Sequence, residues 1–339
     1  MGKLIVVGDL HFQSLRPWSV PVGRRVVEEL NSNPLNNPNN TLVLLGDLTE
    51  LAVLDGAVFS MLMSLFMGAK YKKVYILRGN HDGKVVDGKV VATFDFLKDA
   101  KSRSLFPVPI VVIEEPQALM VEGLECLFLP HLFEDGVHSL SQYEAGGVYE
   151  PLLRNTQYDV VFGHFTNTMR PEPGRKYDVS YLQATYWCFG HNHNPGPGYQ
   201  GSHIPNTIAE ANQNRQVRTY EWDGKVKETI LPAPRILDYY TVKFPEPLPA
   251  VEAEIPVWTI SECTDEAHAR AQYGDIYIRR CLYDLTTDSA SFDRQNMAMT
   301  TKNGETLTVE QLFTLWEKMA KMDKELEADT RAYLSLAIK

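Results

Sequence analysis

The sequence predicts an α/β protein whose functional side chains gather along one edge of its sheets. Two observations carry this reading. Five short apolar runs, at residues 4–7, 42–45, 74–77, 160–162 and 187–189, are rich in β-branched and aromatic residues and bounded by turn residues, so they read as buried strands. Each run is followed by a glycine and then by side chains that can hold a metal ion: Gly8-Asp9-Leu10-His11, Gly46-Asp47-Leu48, Gly79-Asn80-His81-Asp82, Gly163-His164 and Gly190-His191-Asn192-His193. Such residues fall at the carboxyl ends of the strands, the edge where open α/β sheets bind ligands.

The donor types narrow the chemistry. Asp9, His11, Asp47, Asn80, His164, His191 and His193 mix nitrogen and oxygen donors and include no cysteine. That set favours Mn, Fe or Zn, with Mg also admissible, over a thiolate structural zinc site. Seven ligands are too many for one tetrahedral ion and suit two ions about 3.5–4 Å apart. Asp47 is the natural bridge, because a carboxylate can give one oxygen to each ion. Any one of these motifs could be a turn with a satisfied histidine. Together they take five of the chain's nine histidines in a consistent strand-end context, which a chance set of turns does not explain. His131, His138, His203 and His268 lack that context and read as surface or packing residues, with His131, after Leu129-Pro130, able to lie near the site.

The five motifs resemble those of the calcineurin-like metallophosphoesterases, and the resemblance runs from about residue 3 to about residue 232. It implies a metallophosphoesterase β-sandwich of two layers flanked by helices, with a dinuclear site at one edge. Asp9, His11, Asp47 and His193 would hold one divalent ion, and Asp47, Asn80, His164 and His191 the other, with Mn2+ the leading candidate. His81 is no ligand in that pattern. It would sit beside the scissile phosphate and assist the leaving oxygen while activated water attacks phosphorus in line. Asp82 would orient His81 or a ligand.

A finer resemblance lies further along. The run from Tyr199 through Gly201-Ser202 and Pro205 to Glu210 is similar to the segment after the last metal motif in the Mre11/SbcD nucleases. A hairpin with an Asp223-Gly224 turn is expected next. Prolines 232, 234, 245, 247, 249 and 256 suggest a boundary or extended connector. A small β-α-β unit follows, with strands at 257–260 and 275–282 and a helix at 265–272. A capping box at Thr308 and Gln311 opens a last helix with the apolar stripe Leu312, Leu315, Trp316, Met319, Met322 and Leu326. The expected division is a phosphoesterase domain at 1–232, a small α+β capping domain at 233–304 and a C-terminal helical segment at 305–339. The resemblance implies DNA as substrate, a homodimer, and an SMC-like ATPase of the Rad50/SbcC type bound by the last helix. The chain departs from that pattern at Glu50, where several such proteins carry His or Asp; an acid there can still orient neighbouring groups.

Bulk properties set limits. The chain has 339 residues, 44% of them hydrophobic, enough for about two domains. Four cysteines without paired spacing, no signal peptide and no long apolar span point to a soluble cytoplasmic protein that enters no membrane. A net charge of −10 weighs against nucleic acid, although Arg16, Arg24, Arg25, Lys70, Lys72, Lys73, Arg78 and Lys84 lie near the motifs and could line a phosphate path. Residues 31–40, rich in Asn and Pro, read as a flexible surface loop. The function expected is that of a DNA exo- and endonuclease subunit in repair or recombination. The alternatives are a phosphoesterase acting on small nucleotides or phosphoproteins, and a non-catalytic scaffold.

Overall fold

The computed structural model describes residues 2–98, 105–154, 157–168, 176–263 and 265–282. The expected C-terminal helix, and the part of the small unit beyond residue 282, lie outside the described residues.

The chain folds as a mixed α/β structure with two facing sheets. The larger has six strands in the order β12-β11-β1-β2-β3-β6. Its parallel centre is β1 (Leu4–Val7), β2 (Thr41–Leu44), β3 (Lys73–Leu77) and β6 (Ile110–Ile113). The hairpin of β11 (Gln216–Trp222) and β12 (Val226–Pro232) runs antiparallel on its edge, turning at Asp223-Gly224. The smaller sheet has the order β10-β9-β8-β7, with β7 (Gln117–Val121) antiparallel to β8 (Leu124–Leu129). β9 (Gln157–Gly163) and β10 (Gln183–Phe189) run parallel to β8.

The continuous apolar runs have a simple cause: both faces of the central strands are buried. Leu4, Val6, Val43, Tyr75 and Leu77 face Cys126, Phe128, Val160, Phe162 and Cys188 between the sheets. Ile5, Val7, Leu42, Leu44, Val74 and Ile76 point the other way, onto α1 (Ser19–Ser32) and α2 (Gly56–Met67). Asp55 caps α2 by accepting from the Ala57 and Val58 N–H groups. The two helices approach most closely at Gly23, where a Cβ would collide with the Met61 sulfur. The outer face of the smaller sheet is covered by an aromatic-rich cluster that includes Tyr143, Tyr158, Phe165 and Tyr199.

The Asn-rich loop differs from expectation. Asn36 and Asn40 are buried and hold the loop together. Asn36 donates to the Asn31 and Gly68 carbonyls and accepts from the Lys70 N–H; Asn40 donates to the Leu35 carbonyl and accepts from the Lys3 N–H. Amide side chains that imitate backbone partners give an irregular segment the fixed hydrogen bonds that a helix or strand would supply.

The proline-rich stretch is not only a connector. Between its prolines runs β13 (Leu237–Lys243), which pairs in parallel with β14 (Ile255–Ser261), and β14 pairs with β15 (Tyr277–Leu282). One helix, Glu266–Tyr273, links the last two strands. This three-stranded sheet has a small core of Val242, Trp258, Ile260, Cys263, Ala269 and Ile278. Leu237, Tyr239 and Val257 share the core of the large sheet and α1. Arg25 of α1 pairs with Glu254, and Trp18 packs edge-on against Tyr239 and Tyr277.

Candidate metal centre

The ends of β1, β2, β3, β9 and β10 bring all seven expected donors to one edge of the sandwich. The backbone is bent to do so. Asp9, His11, Asp47 and His191 have φ of 47°, 46°, 48° and 73°, in the left-handed region that side chains usually avoid. Such strain costs on the order of 1–3 kcal/mol per residue and persists where surrounding structure enforces it, often at functional sites. The motif glycines allow the loops to close. A Cβ on Gly79 would strike the Asp47 carboxylate, and one on Gly190 would strike the Leu45 carbonyl.

Asp47 lies at the middle. Its Oδ2 is 3.2 Å from His164 Nε2 and 3.9 Å from His11 Nε2, and its Oδ1 accepts from the His81 N–H at 2.8 Å. On one side, Asn80 Oδ1 is 3.1 Å from His164 Nε2 and 2.7 Å from His191 Nδ1. On the other, His11 Nε2 faces His193 Nε2 at 2.9 Å, and the buried Asp9 Oδ2 has no hydrogen-bond partner among the described residues. Asp9 Oδ1 accepts from the His191 N–H at 2.9 Å. Two groups of donor atoms, Asp9/His11/His193 and Asp47/His164/His191, each lie within 4.8 Å of one another, and a third, His11/Glu50/His81, overlaps the first at His11.

The outward nitrogens show that this donor set fits cations. His164 donates from Nδ1 to the Leu45 carbonyl, which leaves Nε2 as the atom facing Asp47 and Asn80. His193 turns Nδ1 to Glu210 Oε1 at 3.0 Å, and His11 turns Nδ1 to Glu50 Oε2 at 2.8 Å. With Nδ1 of His164 and His193 hydrogen-bonded outward and that of His11 in ion-pair contact with Glu50, neutral rings aim Nε2 lone pairs at each other and at carboxylate oxygens. A cation, or a proton, between them relieves the repulsion. Burial alone would lower the His11 and His164 imidazoles. The contact of His11 with Glu50, and the Asp47 charge beside His164, outweigh burial and lift each to about 9. Burial would raise Asp47, but His164 holds it well below the usual carboxylate range.

His81 stands beside this set. Its Nδ1 donates to the Glu50 carbonyl at 2.8 Å, its ring meets His11 edge-on at 5.1 Å, and its side is half-exposed. Asp82 is buried and serves the bridging loop rather than the His81 ring. Its carboxylate accepts from the Asp47 N–H at 2.8 Å, Gly79 N–H at 2.9 Å and Leu48 N–H at 3.0 Å. Burial and the neighbouring Asp47 charge push it up to about 6. Glu50 does orient a neighbour, through its contact with His11.

Several contributors were not assigned from sequence. Glu210 holds His193, and although burial would raise its carboxyl, the His193 hydrogen bond brings it down to about 2. Arg215, buried, donates to the Ser202 hydroxyl and to the His193 and Glu210 carbonyls. His131, which the sequence reading allowed near the site, lies close enough to feel His164, Asp47 and His191, and burial pushes it down to about 3. His203 is buried with its ring against Glu29 of α1 at 3.2 Å, while its backbone N–H donates to the Gly8 carbonyl beside Asp9. Three of the eight cations expected along a phosphate path have other uses: Arg25 pairs with Glu254, Lys72 with Glu122, and Arg78 with Glu114 and the His131 carbonyl.

Among the described residues, no helix is long and apolar enough to cross a membrane. A search of curated proteins gave no match. The crystal structure of a protein of unknown function from Aquifex aeolicus aligns with 54% of this chain and 88% of its own at 12% identity, with a TM-score of 0.30, too low to bear on the fold. The model of the calcineurin-like phosphoesterase family matches residues 2–195, a span holding all seven donors and His81. Members of this family usually hold two divalent ions, for which the two donor groups are the candidate sites. The chain belongs to the calcineurin-like phosphoesterase family, the metal-dependent hydrolases of phosphoester bonds.

Proposed function

We propose that this chain is a dinuclear-metal phosphodiesterase of the Mre11/SbcD type, cutting DNA in repair or recombination together with a Rad50/SbcC-type ATPase. The observation that carries hydrolysis is the convergence of two donor groups on Asp47. Asp9, His11, Asp47 and His193 would hold one ion, and Asp47, Asn80, His164 and His191 the other. Such a pair supplies Lewis acidity to the phosphate and a water of lowered pKa. The chain's own residues do the rest. Asp82 fixes the Asp47 loop through three backbone N–H groups. The Glu50 carbonyl accepts from His81 Nδ1, so Nε2 is the nitrogen left to meet a leaving oxygen. His191, His193, Thr166 and Thr207 line an open cleft through which an extended substrate can reach the donors.

DNA as the substrate rests on the Tyr199-to-Glu210 resemblance. Two features are in keeping with it: Glu210 of that run holds a donor histidine, and the three-stranded sheet packs beside the same run through Tyr239. In this reading that sheet begins the capping domain, the residues after 304 meet the ATPase, and Mn2+ is the working ion. The test is cleavage of linear double-stranded DNA, circular single-stranded DNA and bis-p-nitrophenyl phosphate with Mn2+, Mg2+ or Zn2+. Mn2+-dependent DNA cleavage with weak phosphomonoester hydrolysis is expected. Turnover of phosphoserine peptides or small nucleotides, with DNA intact in every metal, would replace the nuclease reading with the small-substrate one.

A further inference from the structure

We infer that Asn206 is a positioning residue that sets both imidazoles of one ion site, and that it links them to the three-stranded sheet. The inference rests on the dinuclear reading above. Asn206 uses every polar group it has. Its Nδ2 donates to Glu50 Oε2 at 3.1 Å, and that same oxygen is 2.8 Å from His11 Nδ1. Its backbone N–H donates to Glu210 Oε2 at 2.9 Å, and Glu210 Oε1 receives His193 Nδ1 at 3.0 Å. Its Oδ1 accepts from Gln13 at 3.3 Å. Its carbonyl accepts from Arg16 at 3.1 Å and from the Tyr239 hydroxyl of β13 at 3.4 Å.

The two rings whose Nε2 atoms face each other at 2.9 Å are therefore aimed by two carboxylates, and one asparagine holds both carboxylates. A glutamate side chain has three rotatable bonds, so Glu50 free of Asn206 could leave His11 for solvent. Partners of a ligating histidine contribute about 10- to 100-fold to metal affinity. The chemistry requires an amide at this position: an alcohol is too short to span the gap, and a carboxylate would repel Glu50. Among the described residues there is no such tie on the other side of Asp47, where His164 is aimed by the Leu45 carbonyl.

The test is calorimetric titration of the metal-free full-length chain with Mn2+, comparing wild type with Asn206→Ala, Asn206→Asp and the pair Glu50→Gln with Asn206→Asp. Two wild-type binding events are expected. Asn206→Ala should weaken one of them about 10- to 100-fold and leave the other unchanged. Asn206→Asp keeps the shape and the Gln13 contact, yet should weaken the same event further, because it sets an acid against Glu50. Adding Glu50→Gln removes the repulsion and should recover only part of that loss, because the Glu50 oxygen that meets Asn206 also meets His11 Nδ1, and an amide nitrogen at that place cannot accept from the imidazole. A residue that merely packs the loop gives the opposite ranking, with the isosteric Asn206→Asp milder than Asn206→Ala and no recovery in the pair; that ranking overturns the inference. Two unaltered events in Asn206→Ala overturn it as well. Absence of Mn2+ binding by wild type removes the dinuclear reading itself, and the inference with it.

Discussion

On one side of Asp47, His11 and His193 turn their outward nitrogens, Nδ1, to the carboxylates of Glu50 and Glu210. On the other side, His164 turns its Nδ1 to the backbone carbonyl of Leu45, at the end of β2. The backbone brace arrives with the strand and cannot be lost by substitution. The carboxylate braces sit outside the sheets, Glu50 after β2 and Glu210 in a short helical turn, Ile208–Glu210, and depend on further partners. They also lie differently in the chain: the Leu45 side falls wholly within residues 2–195, whereas Glu210 and Asn206 come from beyond that span. The difference teaches that one centre can have one side fixed by the strand framework and another held by a segment that follows it in the chain.

The largest effect should come from removing what the two sides share. Asp47→Ala should reduce bound Mn2+ from two ions to one or none and lower turnover about a thousandfold or more, since the ions together account for several kcal/mol of transition-state stabilisation. Metal analysis of the purified variant, with diester kinetics, checks both parts. His81→Asn should leave both ions in place and lower kcat by about 10²–10⁴-fold, the usual worth of a positioned acid or base. Loss of metal equal to that of Asp47→Ala would show that His81 is a ligand and that the centre is wrongly partitioned.

A smaller change separates the sides. Glu210→Gln should weaken one Mn2+ event about 10- to 100-fold and spare the other; equal weakening of both would mean that the braces are not side-specific. The smallest expected effect lies outside the centre. Burial raises the Glu29 carboxyl, but the His203 and Asn33 hydrogen bonds hold it below 4.5. A carboxyl lowered on folding stabilises in full above its unfolded value and ceases to do so as pH falls through its folded one. Wild type should therefore exceed Glu29→Gln by about 1 kcal/mol near pH 7, with the gap closing only below pH 4.5. Urea denaturation at pH 7 and pH 3.5 reads the difference, and a gap independent of pH would assign it to packing.

The side built on the fold was the more legible in sequence. Strand, glycine and donor sit within a few residues of each other at Asp9, Asp47, Asn80, His164 and His191, so local pattern is enough to find them. Glu210 is 17 positions from His193, and Asn206 is 156 from Glu50, distances over which only tertiary packing makes a pair. None of the five apolar runs read from the sequence falls within residues 102–157, yet β6, β7 and β8 lie there. Those strands carry packing residues such as Cys126 and Phe128 rather than chemistry. β13 was obscured because its flanking prolines signal a connector, while the strand between them is held by its parallel partner β14. The cations near the motifs could not be sorted from sequence, because their partners, such as Glu254 for Arg25 and Glu122 for Lys72, are remote in the chain.

The most direct measurement is anomalous diffraction from a crystal of the full-length chain soaked in Mn2+. Two peaks about 3.5–4 Å apart are expected, one against Asp9, His11 and His193, one against Asn80, His164 and His191, with Asp47 touching both. A single peak, or peaks that leave Asp47 uncoordinated, would contradict a centre with two sides joined by that carboxylate.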